Sequence, residues 1–122
     1  MDEEIKRAKY HALKKYKELN KTANRCKAFG RRVSIAKLGW QHLIKISRRP
    51  TDLLYRLKLI QYIQVAIEQG ELKETRKIKS RSTGELLTNH ALEITISNRV
   101  IRVVIDEDKK GNLTFLSIID KT

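Results

Sequence analysis

The sequence has few of the residues that fix special structures: one cysteine, one proline and five glycines among 122 residues. The single cysteine, Cys26, excludes an internal disulfide, so folding does not require an oxidising compartment. No stretch approaches the roughly 20 apolar residues of a membrane-spanning helix. Residues 1–4 lack the basic-then-apolar order of a signal peptide. We therefore expect no membrane span and a cytoplasmic site of action.

Acidic residues are scarce in the first 50 positions, which hold 15 of the 27 Lys and Arg but only 4 of the 14 Asp and Glu. This segment carries +11 of the total charge of +13, whereas residues 51–122 carry +2. So large a local excess of one sign attracts anions to the surface and predicts contact with a polyanion. Charge runs are usually solvated faces, but here too few acidic partners are present for pairing along the helix.

The overall composition is that of a folded, soluble protein, with 40% apolar and 34% charged residues. A chain of this length can bury one core, so we predict a single domain over residues 1–122. Its first part, residues 1–70, is the basic helical half, and residues 71–122 are the sheet half.

Apolar residues recur at helical spacing in the first half. A stripe from Ile5 to Cys26 predicts one helix of about seven turns, which Gly30 can end. Residues 33–38 alternate apolar and polar side chains and read as a short extended linker. A short helix follows over residues 39–46, and a third begins at Thr51 and ends at Gly70.

After Gly70 the apolar period changes from about 3.6 to 2. Candidate strands are residues 73–82, 92–97, 100–105 and 113–119, and their short connections require antiparallel pairing. The segregation of helices and strands predicts an α+β fold, with N-terminal helices packed on one face of a small, about four-stranded antiparallel sheet. The other sheet face would be open to solvent or ligand.

Signals for metals and cofactors are missing, so we expect neither. There is no Cys/His ligand spacing and no glycine-rich phosphate loop. Beyond the first four residues, acidic residues cluster only at residues 106–108, in a predicted turn, which argues against a two-metal nuclease. The remaining His, Lys, Arg, Ser, Thr and Tyr suit metal-free RNA cleavage. There the ribose 2′-hydroxyl is the nucleophile, and the protein supplies only a base, an acid and cations.

Two histidines are candidates for that chemistry. His42 follows Trp40 on the short helix, among basic residues, although it could equally be an interior histidine bonded to a backbone carbonyl. Trp40 itself is more often a core anchor than a platform for base stacking. His90 opens the first apolar strand and could equally be an ordinary surface residue.

On the sheet, alternation places Ile118 and Leu116 toward the helices and Phe115 and Ser117 away from them. Arg102 points outward on the same argument, where it is either used for function or paired with Glu93. Predicted RNA contacts come from the basic segments: Lys14, Lys15, Lys17, Arg31, Arg32, Lys37, Arg48, Arg49, Arg56, Lys77, Lys79 and Arg81.

Helices followed by a small antiparallel sheet resemble the barnase–EndoU–colicin–RelE (BECR) ribonuclease superfamily, and toxin or phage-associated nucleases within it. The likeness spans about residues 31–120. It involves Trp40-Gln41-His42, Arg48-Arg49, Tyr55-Arg56-Leu57, His90 before Leu92-Glu93-Ile94, the run from Arg99 to Val104, and Leu113-Thr114-Phe115-Leu116-Ser117-Ile118-Ile119.

The resemblance implies a metal-independent hydrolase that cleaves RNA, often tRNA, and that an acidic immunity protein or antitoxin holds inactive. It also implies that such a toxin can be delivered into a target cell. By this resemblance His42 or His90 acts as acid or base, Arg102 with a lysine stabilises the phosphate, and Ser117 orients it. The alternatives are a basic module that binds RNA or DNA without cleaving it, and a protein whose basic helix docks on an acidic partner.

Overall fold

The computed structural model describes residues 2–22, 24–45, 49–80 and 83–122. Within these ranges, four α-helices and six β-strands make an α+β fold with an N-terminal helix. The helices are α1 (Asp2–Leu19), α2 (Lys37–Leu43), α3 (Pro50–Lys58) and α4 (Ile63–Gln69). The strands are β1 (Arg25–Cys26), β2 (Arg31–Ser34), β3 (Glu71–Lys79), β4 (Leu86–Ile96), β5 (Arg99–Glu107) and β6 (Leu113–Asp120).

The sheet has six strands in the order β1-β2-β6-β5-β4-β3. Strands β3 to β6 form the predicted antiparallel series, and the β4–β5 turn uses Ser97 and Asn98, both with positive φ (48° and 68°). Positive φ at both central residues matches the right-handed twist of a two-residue hairpin. The sheet is nevertheless mixed rather than purely antiparallel, because β2 runs parallel to β6.

The prediction for the end of the first helix is wrong, because α1 ends at Leu19 and not near Gly30. The two strands that were not predicted, β1 and β2, follow this helix. Thr22 Oγ1 and Asn24 Nδ2 both donate to the Leu19 carbonyl oxygen, at 2.7 and 2.5 Å. The backbone N–H of Thr22 donates to the same oxygen at 3.1 Å, so the carbonyl at the end of α1 is satisfied without a further helical turn. The chain then forms the β1–β2 hairpin, and β2 includes the first two residues of the predicted linker, Val33 and Ser34. Cys26 is buried, but on a strand.

The third predicted helix is divided into α3, a 3₁₀ turn (Leu59–Tyr62) and α4. Helix α3 begins at Pro50, with Arg49 as its N-cap, and Gly70 caps α4. None of the helices in the described ranges is long and apolar enough to cross a membrane.

The core lies between the helices and one sheet face, which we call the inner face. Leu92, Ile101, Val103 and Ile118 supply its centre and are fully buried. From the helical side, the buried residues of α4 are Ile63, Ala66 and Ile67. Burial of apolar surface at about 25 cal/mol per Å² is the main stabilising contribution of such a core.

A β-bulge changes the predicted alternation of the last strand. Val104 pairs with Ser117, but Ile105 pairs with Phe115, so Leu116 has no partner on β5. One extra residue reverses the facing of the side chains that precede it. Phe115 is therefore fully buried and Leu116 only half-buried, which contradicts the outward assignment of Phe115. Ser117 does lie on the outer face, the side of the sheet opposite the inner face.

Candidate active site

The four predicted catalytic residues do not meet at one point. Arg102 and Ser117 lie on the outer face, as the alternation along β5 and β6 predicts. His90 pairs with Ile105 on β4 and so lies on the inner face. His42 lies in the last turn of α2 and is exposed.

His90 is held by a set of close contacts. Its Nε2 lies 2.7 Å from Glu107 Oε1, and its Nδ1 lies 3.0 Å from Thr75 Oγ1. The ring of Phe29 packs against it, with 4.5 Å between the ring centroids. The hydrogen bond from His90, followed by that from Arg31, keeps the pKa of Glu107 below its usual range, against the effect of burial. The alternative of an ordinary surface residue is wrong, because His90 is only 6% exposed.

Arg102 is engaged by carboxylates on the outer face. Its Nε and Nη2 donate to Glu93 Oε2 at 2.8 and 2.5 Å, and its Nη1 lies 3.4 Å from Glu74 Oε2. Burial raises the pKa of Glu93, but hydrogen bonds from Arg102 and Lys121 outweigh it and hold that pKa below its usual range. The sequence left two alternatives for Arg102, a functional role or a structural pair with Glu93. The observed contacts are those of the structural pair.

Replacing Arg102 with lysine is expected to lower the melting temperature by a few degrees and to change RNA cleavage little. A single ammonium group keeps the charge but cannot reproduce the guanidinium contacts with two carboxylates. Thermal unfolding and single-turnover cleavage are measured on the same sample. Arg99→Lys, at the exposed start of the same strand, is the matched control and should leave both quantities unchanged. If cleavage were tenfold slower at an unchanged melting temperature, Arg102 would have a catalytic role after all.

Several candidate residues lie along strand β6 or the elements beside it. Strand β2 pairs with β6 only at Leu113 and Thr114, and α2 packs against β6. From α3, Arg56 donates its Nη1 to the Ile118 carbonyl oxygen at 3.2 Å. A guanidinium group is therefore fixed one residue from Ser117.

A carboxyl group, Asp106, lies on the same outer face. It pairs with Thr114 and lies two residues along β5 from Val104, the partner of Ser117. Burial raises the pKa of Asp106, and the charge of His42 acts in the opposite direction. Its Oδ1 is buried and has no hydrogen-bond partner among the described residues. The imidazole and this carboxyl are thus close enough to interact electrostatically.

Among the predicted RNA contacts, most of the described residues are exposed. Arg32 donates to the Asn20 carbonyl oxygen at 2.6 Å, and Arg31 lies 3.3 Å from Glu107 Oε2, so part of their hydrogen-bonding capacity is used within the protein. Arg48 and Arg81 lie outside the described residues. The exposed members are Lys14, Lys15, Lys17, Arg31, Arg32, Lys37, Arg49, Lys77 and Lys79, whereas Arg56 is half-buried.

The sequence interpretation missed Asp106 because it placed this residue in a turn after a strand that ended at Ile105. Strand β5 continues to Glu107. The signal was present in the alternation itself, since Arg102, Val104 and Asp106 continue one outward series.

Comparison with models of protein families, with curated proteins and with solved structures found no match to the chain. Within the described ranges, no group of three or more His, Cys, Asp or Glu side chains is arranged to hold a metal ion.

Proposed function

We propose that the protein is a metal-independent endoribonuclease whose active site lies beside β6. The observation that supports this best is the electrostatic effect of His42 on Asp106. On the adjacent strand β6, Arg56 bonds to the carbonyl oxygen of the residue that follows Ser117. Together these residues are a titratable base, a carboxyl that interacts with it, a cation and a hydroxyl. A protein that only binds RNA needs cations, but it does not need a histidine coupled to a desolvated carboxyl.

The proposed reaction begins when His42 removes the proton from the ribose 2′-hydroxyl. The 2′-oxygen then attacks the adjacent phosphorus, and the 5′-oxygen leaves and takes a proton from solvent. Asp106 stabilises the imidazolium ion that His42 becomes, while Arg56 stabilises the negative charge that grows on the phosphoryl oxygens. The Ser117 hydroxyl donates to one of these oxygens. The products are a 2′,3′-cyclic phosphate end and a 5′-hydroxyl end.

The charge distribution supports RNA as the polyanion. Exposed lysines follow one another along α1, and residues 1–50 carry a net +11. Phosphate contacts from such a surface position the substrate without reading its sequence. The reactive group, a 2′-hydroxyl, is then what separates RNA from DNA as a substrate.

The direct test is incubation of the purified protein with total RNA, and with a tRNA fraction, in excess EDTA. We expect discrete fragments with 2′,3′-cyclic phosphate ends, and no cleavage of the same sequences as DNA. Fragments that vanish when EDTA is added, or binding without any cleavage, would overturn the proposal. The second outcome would favour the alternative of a non-catalytic RNA- or DNA-binding module.

Charge reversal on α1 is expected to weaken RNA binding and its salt dependence. Each lost phosphate contact on a single strand reduces the slope of log K against log salt by about 0.7, so Lys14→Glu with Lys17→Glu should reduce it by about 1.4. The double variant Lys109→Glu/Lys110→Glu changes the charge equally in the exposed β5–β6 turn and is the matched control. Affinity is measured at several salt concentrations. Equal slopes for the two variants would exclude α1 as a specific contact surface.

A further inference from the structure

His90 is part of an arrangement that the proposed RNA site does not use. It lies on the inner face, opposite the face that carries Asp106 and Ser117. Both of its ring nitrogens are within hydrogen-bond distance of oxygens, Nδ1 of Thr75 Oγ1 and Nε2 of Glu107 Oε1. A hydroxyl, an imidazole and a carboxylate in sequence are the parts of an activated nucleophile.

The Glu107 carboxylate determines which ring nitrogen of His90 carries the proton. Glu107 has its pKa lowered, chiefly by the hydrogen bond with His90, so it is ionised and accepts the Nε2–H. In a neutral imidazole the other nitrogen, Nδ1, then has a free lone pair. This nitrogen accepts the hydroxyl proton of Thr75, at an Nδ1–Oγ1 distance of 3.0 Å. The base is thus oriented toward the hydroxyl.

The three side chains differ in solvent exposure as an activated nucleophile requires, with a buried base and an exposed hydroxyl. The His90 side chain is 7% exposed and packs against the Phe29 ring, so its position is fixed. Glu107 is held through its second oxygen by Arg31, at 3.3 Å. Thr75, in contrast, is an exposed residue of the edge strand β3. A reagent from solvent can therefore approach the nucleophile but not displace the base.

We propose that Thr75, His90 and Glu107 form a second, hydrolytic site that acts on carboxylic esters, independent of the RNA-cleaving site. Thr75 Oγ bonds to the ester carbonyl carbon as its proton passes to His90 Nδ1. Lys77, two residues further along the same face of β3, is the cation available to the tetrahedral oxyanion. The carbon–oxygen bond to the alcohol then breaks, and the alkoxide takes the proton from Nδ1, which leaves an acyl-Thr75.

Water completes the cycle by the reverse route. It attacks the acyl carbon and gives one proton to Nδ1, and the Thr75 oxygen recovers that proton as it leaves. The products are the alcohol and the carboxylic acid, so no oxidant, metal or further reactant is needed. Glu107 does not touch the substrate and serves as a positioning residue for the imidazole.

A fluorophosphonate probe tests this site, because it reacts with an activated hydroxyl by forming an oxygen–phosphorus bond and releasing fluoride. The intact protein is incubated with the probe, and the modified residue is identified by peptide mass spectrometry. We expect modification at Thr75 in the native protein. Thr75→Val should abolish it, Thr75→Ser should retain or accelerate it, and His90→Gln should slow it by about 100-fold or more.

The matched control is Thr95→Val, which removes an exposed threonine from the neighbouring strand β4 and should leave the labelling unchanged. Melting temperatures are measured for every variant, so that loss of labelling is not confused with unfolding. Native protein that is unlabelled at Thr75, or labelled equally at Thr95, would overturn the proposal without any variant. Neither result would affect the RNA-cleavage assay.

Discussion

Replacing His42 with alanine is expected to slow single-turnover RNA cleavage by about 100-fold or more, the loss that follows removal of a general acid or base. The residue is exposed on α2, so its side chain contributes little to the core and the fold should be retained. The effect should appear in the rate of the chemical step and not in RNA affinity, because one imidazole adds little to the charge of this surface. Cleavage rate, affinity and melting temperature are measured together.

His11→Ala is the matched control, because His11 is also an exposed helical histidine, on α1. It should cleave RNA like the native protein. Equal rates for the two variants would remove His42 from the active site. If the nuclease is a toxin, as the superfamily resemblance implies, production of the native protein should arrest cell growth and His42→Ala should relieve that arrest.

The antiparallel part of the sheet could be predicted because its pairing is determined by residues that are close together in the sequence. Alternation of Leu92, Ile94 and Ile96 with polar residues, and short turns between strands, fix which neighbours pair. The β1–β2 hairpin was missed because the spacing of Leu19 and Cys26 also fits a helix. What ends α1 is a side-chain hydrogen bond from the buried Asn24, and what places β2 is parallel pairing with β6, about 80 residues away. Neither leaves a periodic signal.

The candidate site was predictable to a similar degree. His42 could be selected from its basic surroundings, and Arg102 could be placed on the outer face from alternation. That Arg102 meets a second carboxylate, Glu74, depends on a register shift in β3 between Leu72 and Glu74. A bulge of this kind changes the direction in which a side chain points, but the spacing of apolar residues in the sequence does not reveal it. The contact between Arg56 and β6 is equally a tertiary property.

Replacing Phe115 with alanine is expected to reduce the free energy of unfolding by about 3–5 kcal/mol, which is the usual cost of emptying a buried aromatic site. The ring is fully buried and packs against Tyr16, with 6.1 Å between ring centroids. It also fills the space beside Gly39, where a Cβ would overlap the Phe115 ring and lie 2.5 Å from the Tyr16 hydroxyl oxygen. The surroundings include helices α1 and α2, so they cannot close easily over the cavity. Urea denaturation monitored by circular dichroism measures the loss.

Leu116→Ala is the control that makes this a test of the β-bulge and not merely of hydrophobicity. With the bulge, Leu116 is half-buried and its truncation should cost clearly less than that of Phe115. Without it, simple alternation from Ile118 would bury Leu116 and expose Phe115, and the order of the two costs would be reversed. The same register puts Ser117 opposite Val104 on the outer face. A larger loss for Leu116→Ala would therefore contradict the bulged register and the position of Asp106 relative to Ser117.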